Sequence, residues 1–207
     1  MTTPARIVWL FDVDGTLLLT EGAAREAFAC AVRERLHIED DLKDIAFAGR
    51  TEPLILGDIL RKHGRVLEHG DEARFWDSVF GHIRGLLQPA RGRLLPGVTP
   101  LLDRIAAEPG WVLGLLTGNM TEMARIKLAH FGLDGRFVFG AYGEQAESRE
   151  QQDNHAQLVP TQKRYSPLLP EHGRAYHAAN AGGSGRILQR LAPGRPEPAL
   201  SRRLPQG

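Results

Sequence analysis

The chain has 207 residues, of which 42% are hydrophobic and 25% are charged, and its formal net charge is +1. This composition is ordinary for a globular protein and excludes the strong charge bias of nucleic-acid or anionic-membrane binders. No apolar run reaches the roughly 20 residues that span a bilayer, and the single cysteine suits a reducing compartment. We therefore expect a cytoplasmic protein with one moderate domain and an insertion.

The first predicted element is a buried strand at residues 7–11, an unbroken apolar run. Asp12 and Asp14 leave this strand two residues apart, and Gly15 allows the backbone to turn sharply. Ligands bind at this end of a strand in an open α/β sheet. A carboxylate can form an aspartyl-phosphate, and two neighbouring carboxylates need a cation such as Mg²⁺ to offset their repulsion. A plain Asp-Gly turn is the simpler alternative.

Three amphipathic helices without an intervening strand come next. Apolar residues recur at helical spacing over residues 24–36, Pro53 suits the first turn of a second helix, and residues 72–87 predict a third. Arg50 precedes the second helix in the tripeptide Gly-Arg-Thr. An arginine there can hold a substrate carboxylate or phosphate through two hydrogen bonds, or form an exposed salt bridge. Residues 91–97 are predicted to be a loop.

Helices and strands then alternate. The pattern predicts a helix at 98–107, a buried strand at 111–116, a helix at 119–130 with Asn119 as its N-cap, and a third strand at 137–140. Such alternation is typical of a parallel sheet in an α/β fold.

Polar residues at the end of the second long strand suit an anion. The Thr117 hydroxyl can donate to a phosphate oxygen, and the backbone N–H groups that follow lie near a helix N-terminus. Simple capping of the helix is the alternative for Thr117 and Asn119. Lys127 shares a helix face with apolar residues, so it either extends to solvent or points its charge into a site. Lys163 is a weaker candidate in poorly patterned surroundings.

The composition changes near residue 150. Residues 1–150 contain 22 acidic and 18 basic residues, whereas residues 151–207 contain 3 acidic and 8 basic residues and seven of the 13 prolines. No apolar run beyond Val159 is long enough for a convincing strand. We expect residues 151–207 to form a poorly structured, largely disordered tail.

The Asp-x-Asp-Gly-Thr segment after a hydrophobic strand resembles the nucleophile motif of the haloacid dehalogenase (HAD) superfamily. Leu-Leu-Thr-Gly-Asn is similar to its second motif, and the inserted helices resemble the small α-helical cap of the phosphoglycolate-phosphatase-like group. This resemblance implies an α/β fold with a Rossmann-like parallel-sheet core at residues 1–16 and 93–150. It implies a cap at residues 17–92, between the two parts of the core.

The resemblance also implies Mg²⁺-dependent hydrolysis of a small phosphometabolite. Asp12 would be the nucleophile and a metal ligand. Asp14 would bind the metal through its carbonyl and act as general acid and base through its side chain, while Lys127 would hold the phosphate. The implied substrate-binding residues are Arg50, Thr117, Gly118 and Asn119.

The family's fourth motif should bring further acidic residues to the magnesium site, and we do not find it. The acidic residues after position 150, namely Asp153, Glu171 and Glu197, follow no predicted strand. Glu144 and Glu147 follow the third strand but are expected at the surface. A frame shift beyond codon 147 of GC-rich DNA would produce such a tail. The alternative is therefore a catalytically impaired, truncated or frame-shifted HAD-like protein.

Three other functions fit less well. A HAD-like dehalogenase needs no metal and does not usually keep the second aspartate, so Asp14 favours phosphoryl transfer. A phosphomutase would differ only in the fate of the phosphoenzyme. A receiver-like signalling domain also carries a phospho-aspartate, but it lacks a helical insertion after its first acidic strand end.

Overall fold

The computed structural model describes residues 7–68, 70–88 and 91–145, together with two short strands nearer the C-terminus. The elements in chain order are β1 (Ile7–Phe11), β2 (Leu18–Leu19), α1 (Ala23–Leu36), α2 (Glu52–Lys62), α3 (Asp71–Leu86), β3 (Arg93–Leu94), α4 (Val98–Ala107), β4 (Trp111–Leu116), α5 (Thr121–His130), β5 (Phe139–Ala141), β6 (Val159–Pro160) and β7 (Gln189–Leu191). A single 3-10 turn follows β5 at Gly143–Gln145. The predicted α/β fold is confirmed.

The main sheet has the order β6-β5-β4-β1-β7. Its three central strands are parallel, while β6 and β7 pair antiparallel at the two edges. Phe11 at the end of β1 lies beside Leu115 in β4, and Leu116 lies beside Ala141 in β5. The carboxyl ends of the central strands therefore meet at one edge of the sheet, where ligands bind in folds of this kind.

Helices α1, α2 and α3 form a helical insertion between β2 and β3. These two short strands pair antiparallel, so that the entry to and the exit from the helical insertion lie side by side. In its interior, the Phe28 ring lies 6.2 Å from the Phe75 ring and 5.7 Å from the Trp76 ring. The same apolar cluster continues into α5 through Met123 and Ile126. A second cluster joins β1 and β4 to α4.

Several predicted boundaries are wrong by a few residues. Helix α5 begins at Thr121 instead of 119, and the third strand covers Phe139–Ala141 instead of 137–140. The predicted loop at 91–97 contains β3, because its backbone pairs with β2. Two short strands that no apolar run indicates, β6 and β7, also pair with the sheet. The rest of the expected tail at 151–207 lies outside the described residues.

Within the described ranges, no helix combines the length and the apolar composition that crossing a membrane requires.

Candidate active site

A tight turn at the end of β1 presents the two aspartates. Asp12 accepts a hydrogen bond from the Val13 N–H at 2.9 Å through its own Oδ1. Gly15 has a φ of 75°, and its N–H donates to the Leu18 carbonyl at 2.9 Å. The turn reverses within a few residues and leaves the Asp14 side chain 41% exposed. A glycine tolerates this left-handed backbone, which other residues rarely adopt.

Asp14 contacts Asn119 and Lys127, and Asn119 in turn contacts Thr117. We call these four residues the polar network. The Asn119 side-chain amide donates to Asp14 Oδ2 at 2.8 Å and to Thr117 Oγ1 at 2.7 Å. Lys127 Nζ donates to the same Asp14 oxygen at 2.8 Å and to Asn119 Oδ1 at 2.6 Å. Four predicted site residues therefore lie in one hydrogen-bonded cluster.

Lys127 does not extend to solvent, because its side chain is only 2% exposed. A buried ammonium group is costly unless it is paired and hydrogen-bonded. The group has three N–H donors, and side chains of the described part of the chain accept two of them, at Asp14 and Asn119. The site thus has a buried cation that can also donate to a bound oxyanion.

The start of α5 differs from the prediction. Its N-cap residue is Met120, and Asn119 turns its side chain into the polar network instead of capping the helix. Glu52 accepts the Met120 N–H at 2.8 Å, and Glu144 accepts the Thr121 N–H at 3.0 Å. Both carboxyl groups accept hydrogen bonds at the start of the helix, where the first N–H groups have no partner within the helix. These two N–H groups are therefore already engaged by protein carboxyls.

Glu52 is the member of the site that the sequence did not reveal. It is 5% exposed at the start of α2. Burial raises the pKa of Glu52 to about 8; the charges of Asp14 and Glu144 act in the same direction, while Lys127 and the Met120 N–H oppose the shift. An acidic residue in the first turn of a helix reads as an ordinary helix start. The sequence pattern therefore does not indicate that the Glu52 side chain contacts the start of α5.

Arg50 does not join the polar network through its side chain. Its guanidinium pairs with Asp58 in α2, and the side chain is 35% exposed. Its main chain, however, lies directly against the loop after β4. A Cβ built on Gly118 would lie 2.4 Å from the Arg50 carbonyl oxygen. Gly118 is therefore required for close approach between the helical insertion and this loop.

A complete metal site is not visible in the parts of the chain that the structure describes, since no three His, Cys, Asp or Glu side chains gather there. Glu144 binds the start of α5 and is exposed, as expected for a surface residue. Glu147, Asp153 and the alternative lysine, Lys163, lie outside the described residues.

The comparison with known families shows the family to which this chain belongs. Residues 8–159 match the model of the haloacid dehalogenase-like hydrolases. The chain belongs to this family. The match includes both aspartates of the β1 turn and the whole polar network. Among curated proteins, none matches this chain.

Solved structures give the same HAD-like fold. CbbY from Rhodobacter sphaeroides, solved with phosphate, has a TM-score of 0.55 and 19% identity, covering 68% of this chain and 64% of its own. β-Phosphoglucomutase from Clostridium difficile has a TM-score of 0.53 and 20% identity, with coverages of 67% and 62%. A predicted phosphoglycolate phosphatase from Haemophilus somnus has a TM-score of 0.51 and 18% identity, with coverages of 71% and 66%. The chain thus spans slightly less than two thirds of the length of these proteins.

Proposed function

We propose that this chain is a Mg²⁺-dependent phosphomonoester hydrolase that acts on a small phosphometabolite through an aspartyl-phosphate on Asp12. The observation that carries the proposal is Lys127, whose buried ammonium contacts Asp14 and Asn119 at the carboxyl ends of β1 and β4. A phosphoryl group spreads negative charge over its oxygens, so that catalysis depends on positioning and on preorganised donors. Membership of a hydrolase family supports the same chemistry.

In the proposed reaction, Asp14 first takes up a proton from solvent. Asp12 then attacks phosphorus, the bond from phosphorus to the leaving oxygen breaks, and the leaving alkoxide takes that proton from Asp14. Asp14 then removes a proton from the water that hydrolyses the aspartyl-phosphate, following general acid–base logic. Thr117, with the backbone of Gly118 and Asn119, would hold phosphoryl oxygens. Because Lys127 is paired with Asp14 in the structure, an arriving phosphoryl group would compete for the ammonium. It would thereby release the Asp14 carboxylate to take up the proton that it later gives to the leaving group.

The donor chemistry of the β1 turn fits Mg²⁺ in part. Mg²⁺ sites commonly use one or two carboxylates together with substrate phosphate and water. The Asp12 carboxylate and the Asp14 carbonyl would supply the protein ligands, and the ion would neutralise charge on the transferring group. In the described residues no further acidic side chain joins them.

The helical insertion would act as a cap over this site. We assign residues 1–16 and 93–150 to the core and 17–92 to the cap, with Arg50 as a substrate-binding residue. A closed cap would exclude bulk water from the phosphoryl group. A CbbY structure also holds xylulose-(1,5)bisphosphate, so sugar phosphates join phosphoglycolate as first substrates to assay. We further propose a cytoplasmic location with no membrane or nucleic-acid partner.

The decisive test is hydrolysis of p-nitrophenyl phosphate by the purified chain, with and without Mg²⁺. We expect metal-dependent turnover that Asp12→Asn abolishes, because an amide cannot form the acyl-phosphate. Asp103→Asn, at an exposed position of α4, is the matched control and should retain activity. Turnover that persists in the folded Asp12→Asn variant would exclude Asp12 as the nucleophile.

The alternative is a catalytically impaired HAD-like protein, and the incomplete acidic set of the described residues favours it. A folded chain that shows no turnover at any Mg²⁺ concentration would support this alternative. The related frame-shift hypothesis has its own test in the coding DNA. It fails if neither alternative frame beyond codon 147 encodes an apolar strand followed by an aspartate pair.

A further inference from the structure

Glu52 holds the loop after β4 on both sides of Asn119. Its buried side chain accepts the Met120 N–H at 2.8 Å, and its own backbone N–H donates to the Gly118 carbonyl at 2.9 Å. Asn119 lies between these two anchored residues and sends its side chain into the polar network. One residue of the helical insertion thus fixes a segment of the core that reaches Asp14.

Residues 50–52 of the helical insertion pack directly against Gly118 in the loop after β4, and we call this contact the seam. A Cβ on Gly118 would lie 2.4 Å from the Arg50 carbonyl oxygen and 3.2 Å from Thr51 Cα. A Cβ on Gly143, in the segment after β5, would lie 2.2 Å from the Gly118 carbonyl oxygen and 3.3 Å from Thr51 Cβ. The loop is therefore packed between the helical insertion and the segment after β5, so that its position follows theirs.

We propose that Glu52 is a positioning residue, which holds residues 118–120 so that Asn119 stays in contact with Asp14 and Lys127 when the helical insertion lies against the core. The inference rests on the proposed phosphatase function and adds a residue to it. Glu144 binds the neighbouring Thr121 N–H but comes from the core. Glu52 therefore couples the helical insertion to the polar network, whereas Glu144 does not.

Glutamine is a close substitute for Glu52, because a glutamine side chain is neutral like a protonated carboxyl group. Three charged groups face Glu52, Lys127 from α5, Asp14 from the β1 turn and Glu144 from the turn after β5, and burial dominates their effects to raise its pKa to about 8. Burial therefore favours the protonated form of this carboxyl in the folded protein. Glutamine has nearly the same shape and keeps a carbonyl acceptor for the Met120 N–H, whereas alanine has neither.

The first experiment compares wild type, Glu52→Ala, Glu52→Gln and Glu144→Gln. It measures p-nitrophenyl phosphate hydrolysis and, by NMR, hydrogen exchange of the Met120 amide. We expect Glu52→Ala to lower kcat/KM roughly ten- to a hundredfold, as misplaced catalytic groups do, and to speed Met120 exchange more than about tenfold. Glu52→Gln should restore both values to within about threefold of wild type, and Glu144→Gln should leave Met120 exchange unchanged.

The second experiment follows urea unfolding of wild type and Glu52→Gln with pH. The unfolded glutamate ionises near 4.5 while the folded one stays protonated up to about 8. The free energy of unfolding of the wild type therefore falls as the pH rises from about 4.5 to 8. That of Glu52→Gln should not show this fall, because glutamine does not ionise. A stability difference between the two proteins that does not change from pH 5 to 8 would show that the Glu52 carboxyl ionises in the folded protein as it does in the unfolded chain, and the contact with Met120 would then be decided by the first experiment alone.

The outcomes separate this proposal from the proposed function. Glu52→Ala with unchanged Met120 exchange, or with kcat/KM within about twofold of wild type, overturns the positioning role. If wild type hydrolyses no phosphate ester, the proposed function fails, and Met120 exchange in Glu52→Ala still decides the contact. If Glu52→Ala does not fold, Glu52→Asp replaces it. Its carboxyl is one methylene shorter, so unchanged Met120 protection in that variant would contradict the proposal.

Discussion

The interior of the helical insertion and the polar network are both buried, but they are stabilised in different ways. Around Phe28 the insertion contains apolar side chains and edge-to-face aromatic contacts. Around Lys127 the core contains a cation, an amide and a hydroxyl, each hydrogen-bonded to another. Apolar burial is non-directional and tolerates small shifts, whereas a buried polar network is stabilising only when its members are all satisfied.

From this difference we infer that the helical insertion mainly contributes to stability and the polar network mainly to turnover. Substitutions inside the helical insertion should change the free energy of unfolding, and substitutions in the polar network should change turnover. The seam between the two regions, where residues 50–52 meet Gly118, should affect turnover through position alone.

Within the polar network, the largest effect is expected for Lys127→Met. Methionine fills a similar volume, but Asp14 and Asn119 lose a donor and the phosphoryl group loses its cation. We expect kcat/KM to fall roughly a hundred- to a thousandfold, as for the loss of one preorganised donor. The melting temperature should also fall by a few degrees, because Asn119 is 5% exposed and its Oδ1 loses its donor, whereas Asp14 is 41% exposed and can be solvated. Steady-state kinetics and thermal unfolding measure the two effects.

Lys62→Met is the matched control for this substitution. Lys62 lies in α2, pairs with Asp40 and Asp44, and is 31% exposed. It lies outside the polar network, so its removal should leave kcat/KM within about twofold. Equal loss of activity in both lysine variants would contradict a specific role for Lys127.

In contrast to Lys127→Met, Phe28→Ala should lower stability much more than turnover. The side chain is fully buried among aromatic rings, and truncating such a phenylalanine costs about 3–5 kcal/mol of stability. We expect a lower urea midpoint, followed by helical circular dichroism, with nearly normal kcat for the fraction that remains folded. Val66→Ala, at a position that is 90% exposed, should change stability by less than about 0.5 kcal/mol. A folded Phe28→Ala protein without turnover would show that the two regions are not separable.

The elements with a strong periodic pattern could be predicted from the sequence. Strands β1 and β4 and helix α4 have the predicted bounds, because unbroken or periodic apolar runs determine which faces are buried. The apolar helix face of Lys127 leaves open whether this side chain extends to solvent or enters the site, and the family resemblance is what assigns it to the phosphate. The short strands β2, β3, β6 and β7 were not predicted, since two or three residues of pairing carry no pattern of their own.

Contacts between distant segments explain the rest. Asn119 reads as an N-cap locally, but its side chain bonds to Asp14, 105 positions away in sequence. Glu52 reads as a helix start and yet binds Met120, 68 positions away. Capping is then supplied by Glu52 and Glu144, from other parts of the fold. Local propensity cannot anticipate such exchanges, because it describes each segment without its partners.

The smallest predicted loss of activity is at the seam, in Gly118→Ala. The added methyl would lie 2.4 Å from the Arg50 carbonyl oxygen, which belongs to the backbone and cannot rotate away. The helical insertion must therefore shift, and we expect kcat/KM to fall about tenfold with faster exchange at Met120.

Gly57→Ala, in α2, is the matched glycine control for that variant. A Cβ at Gly57 meets nothing within 4 Å, so the substitution should leave turnover unchanged and favour the helix by up to about 1 kcal/mol. If Gly118→Ala behaves like Gly57→Ala in both turnover and Met120 exchange, the helical insertion shifts to accommodate the methyl group without any effect on activity. The position of the helical insertion would then not control the polar network, and catalysis would depend on the core residues alone.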